Sequence, residues 1–250
     1  MRLFIGLLLS SLFAFPLHAL PECQFYGRAD AGPAFYRIQT LEDGSVKDEI
    51  DMYGVRADGS FLPFKDSGFA IKPTGSYARG DGDLIGYGVG IGYYIPFFKC
   101  CYFVPTAGLG WTDLRTHIDL AASEFSGLLP SDLVFKDIRE KFDSNSRYLG
   151  FELMCQVCEP VWVTFVYQYA WARTDTVLQS PQLESVLGLP DGKFVSSGQS
   201  QGSNFALALD YYYRENWAVT LAGGVNSSLD EDRLGIRGFG VKLGIGYYFK

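Results

Sequence analysis

The stretch 235–250 reads GIRGFGVKLGIGYYFK, and its alternation decides the fold. Every second residue from Phe239 is apolar or aromatic: Phe239, Val241, Leu243, Ile245, Tyr247 and Phe249. The interleaved set is Gly238, Gly240, Lys242, Gly244, Gly246 and Tyr248. A period of two means a strand with two unlike faces. A soluble sandwich strand would hide the greasy face and show water a polar one. Here the second face is mostly glycine, which suits the cramped lumen of a narrow barrel with the greasy face in lipid.

The opening of the chain is consistent with that environment. Arg2 precedes an apolar run at residues 4–15, followed by Pro16-Leu17-His18-Ala19. This reads as a secretory signal peptide over residues 1–19, leaving a single domain over 20–250. The run is too short for a membrane-spanning helix, which needs about 18 or more apolar residues. Of 21 basic residues the signal removes Arg2; the remaining 20 face 28 acidic ones, a net charge of −8 that argues against nucleic acid as a partner.

Strands recur along the chain. Residues 24–35 form the first, and 84–96 the clearest, with Ile85, Tyr87, Val89, Ile91 and Tyr93 opposite Gly86, Gly88, Gly90 and Gly92. The same alternation marks 102–114, 148–158, 161–173, 204–213, 217–226 and the closing stretch from 235. The expectation is an all-β, antiparallel transmembrane β-barrel of eight strands. Its connections alternate between short turns (97–101, 159–160, 214–216) and long polar segments (37–83, 115–146, 174–202), with 227–234 as a moderate link. Short periplasmic turns and long extracellular loops give that rhythm. Residues 69–77 could extend the sheet or add a hairpin, which would raise the strand number.

Aromatic residues sort by height. Phe97, Phe98, Tyr102, Phe103, Trp162, Tyr211, Tyr213, Trp217, Tyr247 and Phe249 flank the short turns or the chain end, and Trp111, Tyr169 and Trp171 lie near the other strand ends. Two such girdles mark the two membrane interfaces.

With these strands in place, the chain resembles the small eight-stranded outer-membrane barrels of the OmpA transmembrane-domain, OmpX and opacity-protein type. The motif Gly244-Ile-Gly-Tyr247-Tyr-Phe249 is similar to the carboxy-terminal signal read by the barrel-assembly machinery, with Lys250 as a departure. The resemblance implies location in a bacterial outer membrane, and outer-membrane lipid and the assembly machinery as partners, with Tyr247 and Phe249 as the recognised residues.

The inward faces collect Arg28, Asp30, Glu152, Asp210 and Lys242, with Gln156 and Gln168. In a narrow lumen these opposite charges form a plug of salt bridges; the competing reading is a gated pore in which the pairs exchange. Five cysteines, Cys23, Cys100, Cys101, Cys155 and Cys158, gather at the periplasmic end. An oxidising compartment allows disulfides, and an odd number leaves one thiol for another chain. That pattern is similar to the disulfide-linked envelopes of chlamydia-like bacteria; one or two internal bridges, or none, is the plainer reading.

Nothing points to an enzyme, a cofactor or a metal. His117 is the sole histidine after the signal, and no hydrolase motif surrounds it or its neighbours Asp113 and Asp119. The glycine-rich run 86–92 lies within a strand, unlike a nucleotide loop. Specific function is expected in the long loops, as a structural or adhesion-like surface role toward other envelope proteins or a host surface. The alternative is a narrow porin-like channel for ions or small solutes.

Overall fold

A computed structural model describes residues 27–42, 45–64, 68–98, 100–121, 134–229 and 235–249. The expected signal peptide and Cys23 lie outside them. The strands are β1 (Gly27–Glu42), β2 (Ser45–Phe61), β3 (Phe69–Gly80), β4 (Gly82–Tyr93), β5 (Ile95–Phe98), β6 (Cys101–Ala121), β7 (Val134–Cys158), β8 (Val161–Gln179), β9 (Lys193–Tyr212), β10 (Trp217–Leu229) and β11 (Gly235–Phe249). Each pairs antiparallel with its neighbour, β1 pairs with β11, and β4 pairs with β6. The result is a closed antiparallel barrel of ten strands. β5 is a four-residue continuation of β4 beyond Tyr94, paired with the start of β6.

Ten strands correct the expected eight. The difference lies in residues 37–83, read as a loop but folded as the upper half of β1, all of β2 and all of β3. The inward face of β2 carries Arg56, Asp58 and Ser60 against outward Tyr53, Val55 and Ala57. Charges on the inner face and an Asp58-Gly59 pair within the strand gave β2 the composition of a loop. The segments 115–146 and 174–202 are likewise shorter as loops than expected. β6 runs to Ala121, β7 is 25 residues long, and β8 and β9 extend to Gln179 and from Lys193.

Both ends of the barrel chain, Gly27 and Phe249, lie side by side at the end that holds the turns after β2, β5, β7 and β9. This is the turn end; the other is the loop end. On the outer face from Phe249 to Phe239, apolar residues alternate for ten steps, about 24 Å when tilted as barrel strands are. Above that band the outer face changes character. Arg37 bonds Asp51 and Glu49 on β2, Arg79 bonds Asp83, Arg115 bonds Asp113, and Lys141 bonds Asp143. Charge begins where the apolar band stops, as a membrane boundary demands.

The aromatic girdles are present with two exceptions. Tyr211, Tyr213, Trp217 and Phe98 are exposed at the turn end, and Tyr87 stacks on Trp111 at 5.3 Å toward the loop end. Tyr102 and Trp162, expected in the lower girdle, instead point inward and are buried. They sit at even positions of β6 and β8, in phase with the other inward residues.

At the loop end, β8 leads into a one-turn-and-more helix, α1 (Pro181–Leu187). Ser180 caps it by accepting from the Gln182 amide, Pro181 opens it, and Gly188 ends it in the left-handed conformation (φ 64°). Leu183 of α1 packs on Phe135 and Ile138 of β7, with Ile118, Leu178 and Leu189 around them. No helix among the described residues is long and apolar enough to cross a membrane.

Candidate functional site

The lumen is organised in layers. At the turn end an apolar floor joins Leu62, Ala70, Tyr94, Tyr102, Val104, Met154, Trp162, Ala218 and Tyr248, with Tyr212 packed against them. Aromatic rings fill it: Tyr102 stacks with Trp162 at 6.3 Å, Tyr94 meets Tyr102 edge-on at 5.9 Å, and Tyr212 lies 4.6 Å from Tyr248. A ten-stranded lumen is wider than an eight-stranded one, and large inward rings are what fill the added width.

On this floor stands a chain of alternating charges. Asp210, fully buried, accepts from Arg28 at 2.9 Å, from the Thr220 hydroxyl at 2.6 Å and from the Tyr248 hydroxyl at 2.7 Å. Arg28 also meets Asp30 at 3.0 Å. Lys242 bonds Asp30 and, at 2.6 Å, Asp58. Asp58 in turn accepts a forked bond from Arg56, with Nε and Nη2 at 2.8 to 3.1 Å. The run Asp210, Arg28, Asp30, Lys242, Asp58, Arg56 thus crosses β9, β1, β11 and β2 with every neighbour of opposite sign. Each buried charge is matched, which is what makes its desolvation tolerable. A second pair, Lys72 of β3 and Glu152 of β7, closes across the lumen at 2.8 Å.

The five lumen charges read from the sequence therefore all face inward. Arg28, Asp30, Asp210 and Lys242 form one network, and Glu152 stands apart from it. Arg56, Asp58 and Lys72 escaped sequence reading because they lie on the two strands taken for loop. Their signal was there: alternation of Tyr53, Val55 and Ala57 about Arg56. Gln168 accepts a bond at 2.9 Å from Asn204, its cross-strand neighbour on β9.

Above the charges lies a cavity of about 430 Å3. Arg56, Tyr36, Tyr148, Gln168, Asn204 and Asn226 are among its polar lining. Tyr148 lies across Gly90 and Gly108, where any Cβ would collide with its ring. The bare glycines of β4 and β6 thus hold an aromatic side chain flat against the wall. Over part of the cavity an apolar roof is built from Ile50, Met52, Ala78, Leu84 and Leu114, with Tyr36, Ile38 and Phe142. All of these belong to β1–β4, β6 and β7.

Outside the lumen, Cys101 and Cys155 are directly opposed on β6 and β7 and joined by a disulfide. Cys100 is also disulfide-bonded, and Cys158 is a free, exposed thiol. Tyr247 and Phe249 sit on the outer face at the seam, Tyr247 edge-on to Trp217 at 5.0 Å and to Phe249 at 5.2 Å. His117 is exposed on β6, opposite Arg139. Asp113 is engaged by Arg115, and Asp119 accepts from the Asp137 amide. No cluster of metal-ligating side chains occurs among the described residues.

Two groups at the loop end have displaced acidities. The Arg37 guanidinium, bonded to Asp51 at 2.7 and 2.8 Å, holds the Asp51 carboxyl below its ordinary value. Burial, with Asp48 nearby, raises the Glu140 carboxyl above its own.

No protein-family model matches the chain, and no curated protein does. Among solved structures, the outer-membrane protease OmpT of Escherichia coli aligns with a TM-score of 0.55 at 12% identity, over 93% of this chain and 100% of that one. The translocator domain of the autotransporter NalP from Neisseria meningitidis gives 0.48 at 12% identity, over 98% and 95%. Ail, the attachment invasion locus protein of Yersinia pestis, gives 0.38 at 13%, over 90% and 99%. The chain has the fold of outer-membrane β-barrels; at such identities the likeness extends to fold alone.

Proposed function

We propose that this chain is an integral protein of a bacterial outer membrane, a non-conducting barrel whose role is exercised by the part that stands above the lipid. The turn end faces the periplasm and the loop end the exterior. The observation that carries the reading is the floor: six large inward side chains, Tyr94, Tyr102, Met154, Trp162, Tyr212 and Tyr248, pack together across the lumen, with paired charges above them. Ion passage would require these rings to part and matched charges to separate, each such break costing several kcal/mol. The band of outward apolar residues with charge above it supports the membrane placement. Outside the band, β6–β9 continue as tall hairpins, steadied by α1, which gives a folded surface for contact with an envelope protein or a host surface.

Planar-bilayer recording of the refolded, demonstrably inserted protein tests the closed lumen. The expected trace is silent. Reproducible unitary steps would overturn the reading in favour of a narrow channel. For the surface role, β8 and β9 are cut back to the Thr176–Ser196 pair and rejoined by a tight turn. Vesicles carrying this variant are expected to lose adhesion to cultured animal cells that the unaltered protein confers; equal adhesion by both would remove the surface role from these hairpins.

A further inference from the structure

The lumen is unequal from one side to the other. Its apolar roof comes from β1–β4, β6 and β7, and none of its members lies on β8–β11. Along β8 and β9 the inward positions above the cavity are Ala170, Ala172, Ser200 and Gly202, and on β10 and β11 the cavity wall includes Ala222, Gly224, Asn226, Gly238 and Gly240. Val166, Gln168, Asn204 and Asn226 are larger residues on this wall. The floor below is continuous. With the apolar floor beneath it, the cavity is a cup whose β8–β11 side has no member of the apolar roof cluster above it.

Its charges also differ in exposure. The lining includes four cations, Arg28, Arg56, Lys72 and Lys242, and three carboxylates, Asp30, Asp58 and Glu152. The fourth carboxylate, Asp210, is fully buried beneath the cavity and outside its lining. Because Asp210 bonds Arg28 at 2.9 Å, the four cations and four carboxylates balance, and what distinguishes Arg56 is its exposure. Arg56 ends the alternating chain, and its side chain is 44% exposed where those of Lys242 and Lys72 are 5% and 13% exposed. Its fork to Asp58 uses Nε and Nη2, and its guanidinium lines the cavity close to Tyr36. A guanidinium edge suits a carboxylate. Above it, Tyr36, Ile38 and Leu84 supply apolar surface against which a ligand's body can lie.

We propose that this cup binds a small monocarboxylate, its carboxylate on Arg56 and its apolar body under the roof, entering and leaving from the loop end. A cavity of this size lies within the range of small-molecule sites. The inference rests on the closed floor proposed above only for the direction of entry, and conductance and binding are separate readouts. A conducting protein with an Arg56-dependent site would overturn the closed lumen and keep the site.

The probe is 4-fluorobenzoate, followed by 19F NMR with the refolded full chain in a non-ionic detergent. Saturable binding is expected, weakened at least tenfold in Arg56→Gln and unchanged in Arg37→Gln, which alters an arginine on the outer face. Ala206→Phe fills the cavity and leaves every charge in place, and it is expected to abolish binding; it keeps the test decisive should Arg56→Gln fold poorly. The cation 4-fluorobenzylamine, of similar size, should not bind. Absence of saturable binding to the unaltered protein, equal binding by Ala206→Phe, or equal binding of the amine would each overturn the proposal.

Discussion

Asp210→Ala probes whether the floor of the barrel is dry. Asp210 is fully buried and accepts three bonds, from Arg28, Thr220 and Tyr248. Its removal takes one of two carboxylates from Arg28 and strands two hydroxyl donors. Breaking a buried pair costs about 3 to 5 kcal/mol, a range that includes the uncompensated charge left behind. Asp30 still holds Arg28 at 3.0 Å, so the lower part of the range, about 3 kcal/mol, is expected. Thr220 and Tyr248 donate to different oxygens of Asp210, so Asp210→Asn keeps the acceptor for one of them and loses the charge; about 1.5 to 3 kcal/mol is expected, the worth of a hydrogen bond to a charged group. The assay is urea unfolding of the protein in lipid vesicles, followed by tryptophan fluorescence. With a slope of about 3 kcal/mol per molar, the alanine variant should unfold about 1 M earlier. The double variant Arg28→Met/Asp210→Ala should cost less than the sum of the two single changes, because the charges it removes are partners. A midpoint for Asp210→Ala close to the original would refute the reasoning. It would mean that water screens these charges and that the floor is not closed.

Other expectations concern the loop end and the cysteines. Glu140 has a raised pKa when folded, so the native state binds the extra proton and its stability falls as pH rises through the folded value. Glu140→Gln should therefore slow hydrogen exchange in residues 138–142 at pH 7, with the advantage vanishing as pH falls below the ordinary carboxylate range; no pH dependence in the difference would refute this. Asp51 is the opposite case: its depressed value favours the folded state above the ordinary carboxylate range, and that contribution is lost as pH falls through the folded value. Asp51→Asn should leave exchange at residues 36–38 faster at pH 7 and equal to the parent in strong acid. Maleimide should label Cys158 in the native, unreduced protein and reach Cys101 and Cys155 only after reduction; labelling of Cys101 without reductant would contradict the bridge.

Sequence alternation was most legible where lipid is on one side and glycine on the other. β4 and β11 show this, because a greasy outer face and a bare inner one leave no competing interpretation. It failed on β2 and β3, where the inner face is charged: Arg56, Asp58 and Lys72 look like loop residues until partners from β11 and β7 are placed beside them. Pairing of Lys72 with Glu152, 80 positions away, leaves no trace in local composition. The inward turn of Tyr102 and Trp162 was hidden for a different reason. Aromatic residues beside a short turn fit both a girdle and a floor, and only the phase of the whole strand separates the two. The lumen charges were legible as a set, but their order in one alternating chain was not, since that order depends on strand register.

That register has a consequence for how the barrel comes together. Lys242 belongs to the last strand and Asp30 and Asp58 to the first two, so their union exists only after β11 has met β1. A slip of one residue at this seam would send Lys242 into lipid and bring Val241 or Leu243 into the lumen. Until closure is correct, Lys242 lacks Asp30 and Asp58, and Arg28 lacks Asp210; once it is correct, none is left over. The seam therefore carries its own proofreading: an electrostatic key, cut at opposite ends of the chain, that turns in only one position.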